Sequence, residues 1–194
     1  MNWAEIKTND IANGEGVRTS LFVSGCRHHC KNCFNDIAWD FGYGELFTEE
    51  TMEKIFDSID HPWINGVTLL GGEPFEPENQ RVLVPFLVML REKFPDKTVW
   101  CYTGFTIEQI LGKSEPKSRA ATDVSNEMLS LIDVLVDGPY VESLHDISLK
   151  FRGSSNQRVI DMKKSIESNK IVLYLEKQTT NATWITNYHD CNRR

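Results

Sequence analysis

No run of apolar residues in this chain approaches the length needed to cross a bilayer, which excludes a membrane-spanning helix of the usual kind. The opening residues, MNWAEIKTND, lack a basic start followed by an apolar stretch, so no secretory leader is read there and a cytoplasmic location is expected. Positive charge is also short: 21 Lys and Arg face 28 Asp and Glu, for a net charge of -7. Nucleic acid and anionic membranes are themselves negative, so neither is an expected partner. The chain has 5 cysteines, an odd number, and no second pair of metal ligands of the C-x2-C or H-x3-H type. No internal repeat is visible.

What is present suits one compact domain. At 194 residues, 40% apolar and 25% charged, the chain can bury a core without staples. Short apolar runs alternate with amphipathic stretches, as strands and helices do in a parallel sheet. Strands are expected at 19–25, 67–70, 98–102, 133–136 and 171–175. Helices are expected from Thr48, a capping residue, to about Asp60, at 79–94 with a kink or irregular turn at Pro85, at 107–111 and at 125–131. The pattern predicts an α/β fold: a partial, TIM-like barrel of parallel strands with outer helices, their carboxyl ends gathered on one face. Residues 1–177 form the domain and 178–194 a polar tail.

Three of the cysteines crowd together after the first expected strand. GCRHHCKNCFN sets Cys26, Cys30 and Cys33 at the spacing C-x3-C-x2-C, too close for good disulfide geometry. A loop of this spacing can wrap three thiolates around one face of a cubane and leave the fourth iron without a protein ligand. The competing reading is a structural zinc site completed by His28, His29 or a distant histidine. The missing second ligand pair favours the cluster. Cys101 lies in a strand-like run and reads as a small buried apolar residue, and Cys191 in the tail as incidental.

Gly71, Gly72, Glu73 and Pro74 follow the next strand. Glycines let backbone approach a ligand closely, and a carboxylate suits an ammonium group. On its own, GGEP reads equally well as an ordinary turn ending a strand. With the cysteine triad before it, the pair resembles the radical S-adenosylmethionine superfamily. That resemblance implies a 4Fe-4S cluster on Cys26, Cys30 and Cys33, with the methionine part of S-adenosylmethionine on the unique iron and its amino group at GGEP. Backbone of Asn32, Cys33 and Phe34 would contact the adenine. Members often carry an aromatic residue just before the last cysteine, where this chain has Asn32.

NGEGVR at 13–18, YTGF at 102–105, DGPY at 137–140 and RGSSNQR at 152–158 are similar, in this order, to the glycyl-radical activating enzymes of anaerobic ribonucleoside-triphosphate reductase. The resemblance covers about residues 10–161. It implies that a 5'-deoxyadenosyl radical removes hydrogen from a glycine of the reductase, with an electron donor such as flavodoxin or ferredoxin and a possible homodimer. Asn13, Arg18, Asp137 and Arg152 are the candidates for the partner-facing side. Asp137 also suits a helix cap or a cation ligand, and Arg152 and Arg158 also read as solvated charges. The rival functions are another enzyme of the superfamily, such as a lyase activase or a deazapurine synthase, and a zinc-stabilised interaction module. Protein prepared without oxygen is expected to hold about four irons per chain with acid-labile sulfide, rather than one zinc, by metal analysis.

Overall fold

Strand-forming runs appear as β1 (Asn2–Asp10), β2 (Val17–Val23), β3 (Glu45–Leu46), β4 (Ile64–Gly71), β5 (Thr98–Tyr102), β6 (Val134–Asp137) and β7 (Arg158–Asp161). The helices are α1 (Glu49–Ile59), α2 (Pro77–Lys93), α3 (Ile107–Ile110), α4 (Ser125–Ser130) and α5 (Met162–Ser168). These elements come from a computed structural model that describes residues 1–175. The expected tail at 178–194, with Cys191, lies outside the described residues. No helix among the described residues is long and apolar enough to cross a membrane.

All seven strands join one sheet in the order β3-β1-β2-β4-β5-β6-β7. Its centre is parallel: β2 pairs with β4, β4 with β5 and β5 with β6, with helices in the connections. Both edges depart from the expected all-parallel arrangement, since β1 runs antiparallel to β2 and to β3, and β7 runs antiparallel to β6. The cause is the connections. A parallel pair needs a long crossover, usually helical. The 11–16 link is short, and the 138–157 link carries only a single 3-10 turn at Glu142–Leu144.

The strand expected at 171–175 reduces to one antiparallel bridge, Ile160 to Leu173, beside the Tyr174 N to Val159 O hydrogen bond of 2.8 Å. Asn169, at φ +51°, ends α5 and turns the chain back along β7. Helix α1 begins where expected, with Thr48 and Thr51 bonded reciprocally in a capping box. Helix α2 starts earlier than expected, on Pro77, and runs unbroken through Pro85. Pro85 and Arg81, whose carbonyl loses its usual donor, are both exposed, so water can serve that carbonyl.

Strand side chains alternate between two faces of the sheet. Toward the helices, Leu21, Val23, Val67, Leu69, Val99, Cys101 and Leu135 pack with Phe56, Leu83, Phe86 and Leu90 in the main core. Cys101 is the small buried apolar residue expected. On the other face, Trp100, Val134, Val136 and Val159 form a second cluster against Tyr102, Phe151 and Tyr174.

Arg18 is the buried cation on that face, at 1% exposure, beside the buried Ser20 and Thr68. Its Nε donates to Thr68 Oγ1 at 2.7 Å, Nη1 to Thr98 Oγ1 at 2.9 Å and Glu15 O at 3.2 Å, and Nη2 to Val67 O at 2.8 Å and Thr98 O at 2.7 Å. All five N–H groups are therefore used, tying β2 to β4 and β5. Replacing Arg18 with Ala orphans buried acceptors and leaves a void. Urea unfolding is expected to show a loss of about 3 kcal/mol.

Candidate functional site

Because β2, β4, β5 and β6 are parallel, Val23, Gly71, Tyr102 and Asp137 end at one edge of the sheet. The cysteine loop, GGEP, YTGF and DGPY leave from those ends. They enclose a cavity of about 570 Å³. Cys26, Cys30 and Cys33 line it, facing Gly71, Gly72 and Glu73.

The loop is closed at its base, where Gly25 N donates to Ala38 O at 2.8 Å and Cys26 N to Trp39 O at 3.1 Å. Inside it, His29 (φ +50°) and Asn32 (φ +57°) adopt left-handed conformations that coil the chain tightly. Asparagine tolerates that region better than an aromatic residue does, which accounts for Asn32 before the last cysteine. Asn35 N donates to Cys33 Sγ at 3.4 Å. Phe34 lines the cavity and is 84% exposed.

The GGEP turn is bound to the cysteine loop through backbone. Gly72 N donates to Val23 O at 2.7 Å and Glu73 N to Gly25 O at 2.9 Å. A Cβ on Gly72 would lie 2.7 Å from Gly25 O and 3.0 Å from both Ala38 O and Val23 O, so only glycine fits. Pro74 is buried behind the turn. The Glu73 carboxylate, 1% exposed, accepts from Phe75 N, Thr103 Oγ1 and Gly104 N, each at 2.8 Å, and from His28 Nε2 at 2.9 Å.

Behind the turn, the fully buried Glu76 accepts from Arg27 N at 2.9 Å, from Arg27 Nη1 at 2.7 Å and from Arg119 Nε at 3.1 Å. Asn79 Nδ2 donates to Ser24 O at 3.0 Å and Glu73 O at 2.9 Å. His28, Glu76, Asn79, Thr103 and Arg119 were not singled out as supporting residues in the sequence. For Glu76 and Asn79 alone a signal was available, as polar residues at the start of α2.

Burial pushes the Cys26 thiol up to about 12, helped by the charges of Glu73 and Glu76 and by Cys30. Cys30 is raised by burial first, then by Cys33 and Glu73. Thiols so placed give up their protons to a strongly positive partner such as iron. Among the described residues, no three His, Cys, Asp or Glu converge on a single ion. A cubane instead needs one thiolate on each of three irons, and the cavity offers three, with no fourth cysteine among its described lining. The donor set fits a cluster bound on three irons.

The opposite rim joins DGPY to RGSSNQR. Gln157 Nε2 donates to Gly138 O at 3.1 Å, Asn156 Nδ2 to Pro139 O at 2.7 Å and Arg152 Nη1 to Gln157 O at 2.6 Å. Asn13 and Arg152 line the cavity. Arg18 and Asp137 do not; Asp137 is fully buried, accepting from Ile107 N at 2.8 Å and from Arg158, which also pairs with Glu108. Burial raises the Asp137 carboxyl, and Arg158 opposes that. Across the mouth, Glu142 meets Asn32 and Lys31.

Fold and cavity define a protein built around one iron-sulfur cluster, and the 4Fe-4S single cluster domain family matches residues 12–160. The chain is 38% identical over 159 residues to the anaerobic ribonucleoside-triphosphate reductase-activating protein of Haemophilus influenzae, covering 81% of this chain and 96% of that one. It is 35% identical to the protein of that name from Escherichia coli K12 over 161 residues, 82% of this chain and 97% of the relative. The Enterobacteria phage T4 protein is 35% identical over 159 residues, 82% and 93% of the two chains. This chain belongs to the anaerobic ribonucleoside-triphosphate reductase-activating protein family.

Replacing Gly72 with Ala would force the GGEP turn away from the carbonyls of Val23, Gly25 and Ala38. A loss of about 2 kcal/mol on urea unfolding is expected, with less iron retained after reconstitution.

Proposed function

We infer that this chain activates an anaerobic ribonucleoside-triphosphate reductase by generating a glycyl radical on it, through reductive cleavage of S-adenosylmethionine at a 4Fe-4S cluster held by Cys26, Cys30 and Cys33. The observation that carries this reading is the meeting of three thiols and the GGEP turn in one cavity. Relatives named for that activation align along nearly their whole length. When bound, such a cluster would supply the single electron for reductive cleavage of S-adenosylmethionine, the chemistry that leads to hydrogen removal from the reductase's glycine.

The chain's own residues position and enclose. The thiols of Cys26, Cys30 and Cys33 would hold the cluster through three of its irons. Backbone of Gly71 and Gly72 borders the methionine end of S-adenosylmethionine, and backbone of Asn32, Cys33 and Phe34 borders its adenine. Asn13 and Arg152 face the entering glycine segment, while Arg18 and Asp137 brace that wall from behind. The parallel strands β2, β4, β5 and β6 act as an incomplete barrel open at the cavity. We take residues 1–177 as the catalytic domain and 178–194 as a polar tail. A cytoplasmic flavodoxin or ferredoxin is the expected electron source, and a homodimer the expected assembly.

The test mixes reduced, reconstituted protein with S-adenosylmethionine and a candidate reductase under nitrogen. 5'-Deoxyadenosine and a glycine-centred paramagnetic signal are expected together, and Cys30→Ala should abolish both. Deoxyadenosine without the protein radical would refute the assigned partner.

A further inference from the structure

Glu73 has a fully committed carboxylate. Each oxygen takes two donors: Phe75 N and Thr103 Oγ1 on Oε1, Gly104 N and His28 Nε2 on Oε2, all between 2.8 and 2.9 Å. A carboxylate offers about four lone-pair sites, so none is left over for a bound ammonium group. The donors come from three separate segments: the cysteine loop, the turn itself and the link after β5.

His28 is held on both sides. Its ring lies 4.3 Å from the Phe105 ring, which also carries the Arg119 guanidinium at 4.7 Å. Gly104 is shaped to it, since a Cβ there would sit 2.8 Å from His28 Nε2. No Lys or Arg pairs with Glu73 among the described residues; the His28 ring stands where such a cation would. A buried acceptor so placed loses much when any donor is removed.

We propose that Glu73 and His28 are positioning residues: the Glu73 carboxylate locks the cysteine loop, the GGEP turn and the 103–105 link to one another, and does not itself hold the ammonium group of S-adenosylmethionine. The second half of this statement rests on the functional reading above; the first does not. It also replaces the simplest reading of GGEP, in which the acid is the ligand. The ammonium group is left to backbone.

The experiment uses the full chain with His28→Ala, His28→Gln and Glu73→Gln. In cluster-free protein, His28→Ala is expected to speed alkylation of Cys30 and Cys33 by about threefold or more, because the loop opens locally. In reconstituted protein the same change should weaken S-adenosylmethionine binding about tenfold, the usual scale for a lost supporting hydrogen bond at a metal site. His28→Gln keeps a side-chain N–H and should restore both to within about twofold of the parent. Unchanged alkylation and binding in His28→Ala, or His28→Gln as impaired as Ala, would overturn the lock.

Glu73→Gln decides the ammonium question. Its binding should weaken by the same factor for S-adenosylmethionine and for an analogue lacking the amino group. A loss confined to S-adenosylmethionine overturns the proposal. Where Glu73→Gln does not fold, Thr103→Val removes a different donor from the same carboxylate and is read in the same way. Parent protein that binds neither compound would defeat the functional reading, while the alkylation rates would still judge the lock.

Discussion

Parallel pairing of β2 with β4 is the constraint on which the site depends. The register runs from Arg18 opposite Gly66 to Val23 opposite Gly71, so the cysteine loop and the GGEP turn leave the sheet side by side. Their backbones then bond directly, Gly72 to Val23 and Glu73 to Gly25. A slip of one residue would reverse which side chains meet the helices and would part the two loops. Arg18 opposes such a slip near the other end of the strands, because its guanidinium reaches β4 and β5 together. The carboxyl end of the strands is thus left open for chemistry while the other end is filled by one satisfied cation.

The central strands were legible because each is a run of apolar residues stopped by glycine or a polar turn, and burial on both faces demands such runs. The edge strands were not. In β1 most positions are exposed or half-buried, and NWAEIKTND shows no apolar run to mark it. β3 has only two residues, and β7 is a short VID flanked by charge. The direction of β7 was hidden for a different reason: the 138–157 link contains turns that bring the chain back on the same side, and these arise from Gln157 and Asn156 bonding to the DGPY carbonyls.

Within the site, the cysteines and glycines could be read from local spacing, since their chemistry depends on neighbours a few residues away. Glu73 was legible as part of GGEP, but its partners His28 and Thr103 were not, because each meets it across 30 or more positions. Arg18 and Asp137 show the same limit from the other side. A charge beside a strand end looks alike in sequence whether it faces a cavity or, as here, an interior network.

The contact of Glu142 with Asn32 and Lys31 spans the cavity mouth, between the cysteine loop and the exposed 142–150 segment. Ion pairs and polar contacts in solvent are worth little, whereas the links beneath them are buried and numerous. Threshold and frame are therefore energetically separate: the span at the entrance can part for an incoming chain while the sheet, the cysteine loop and the turn behind it keep their shape.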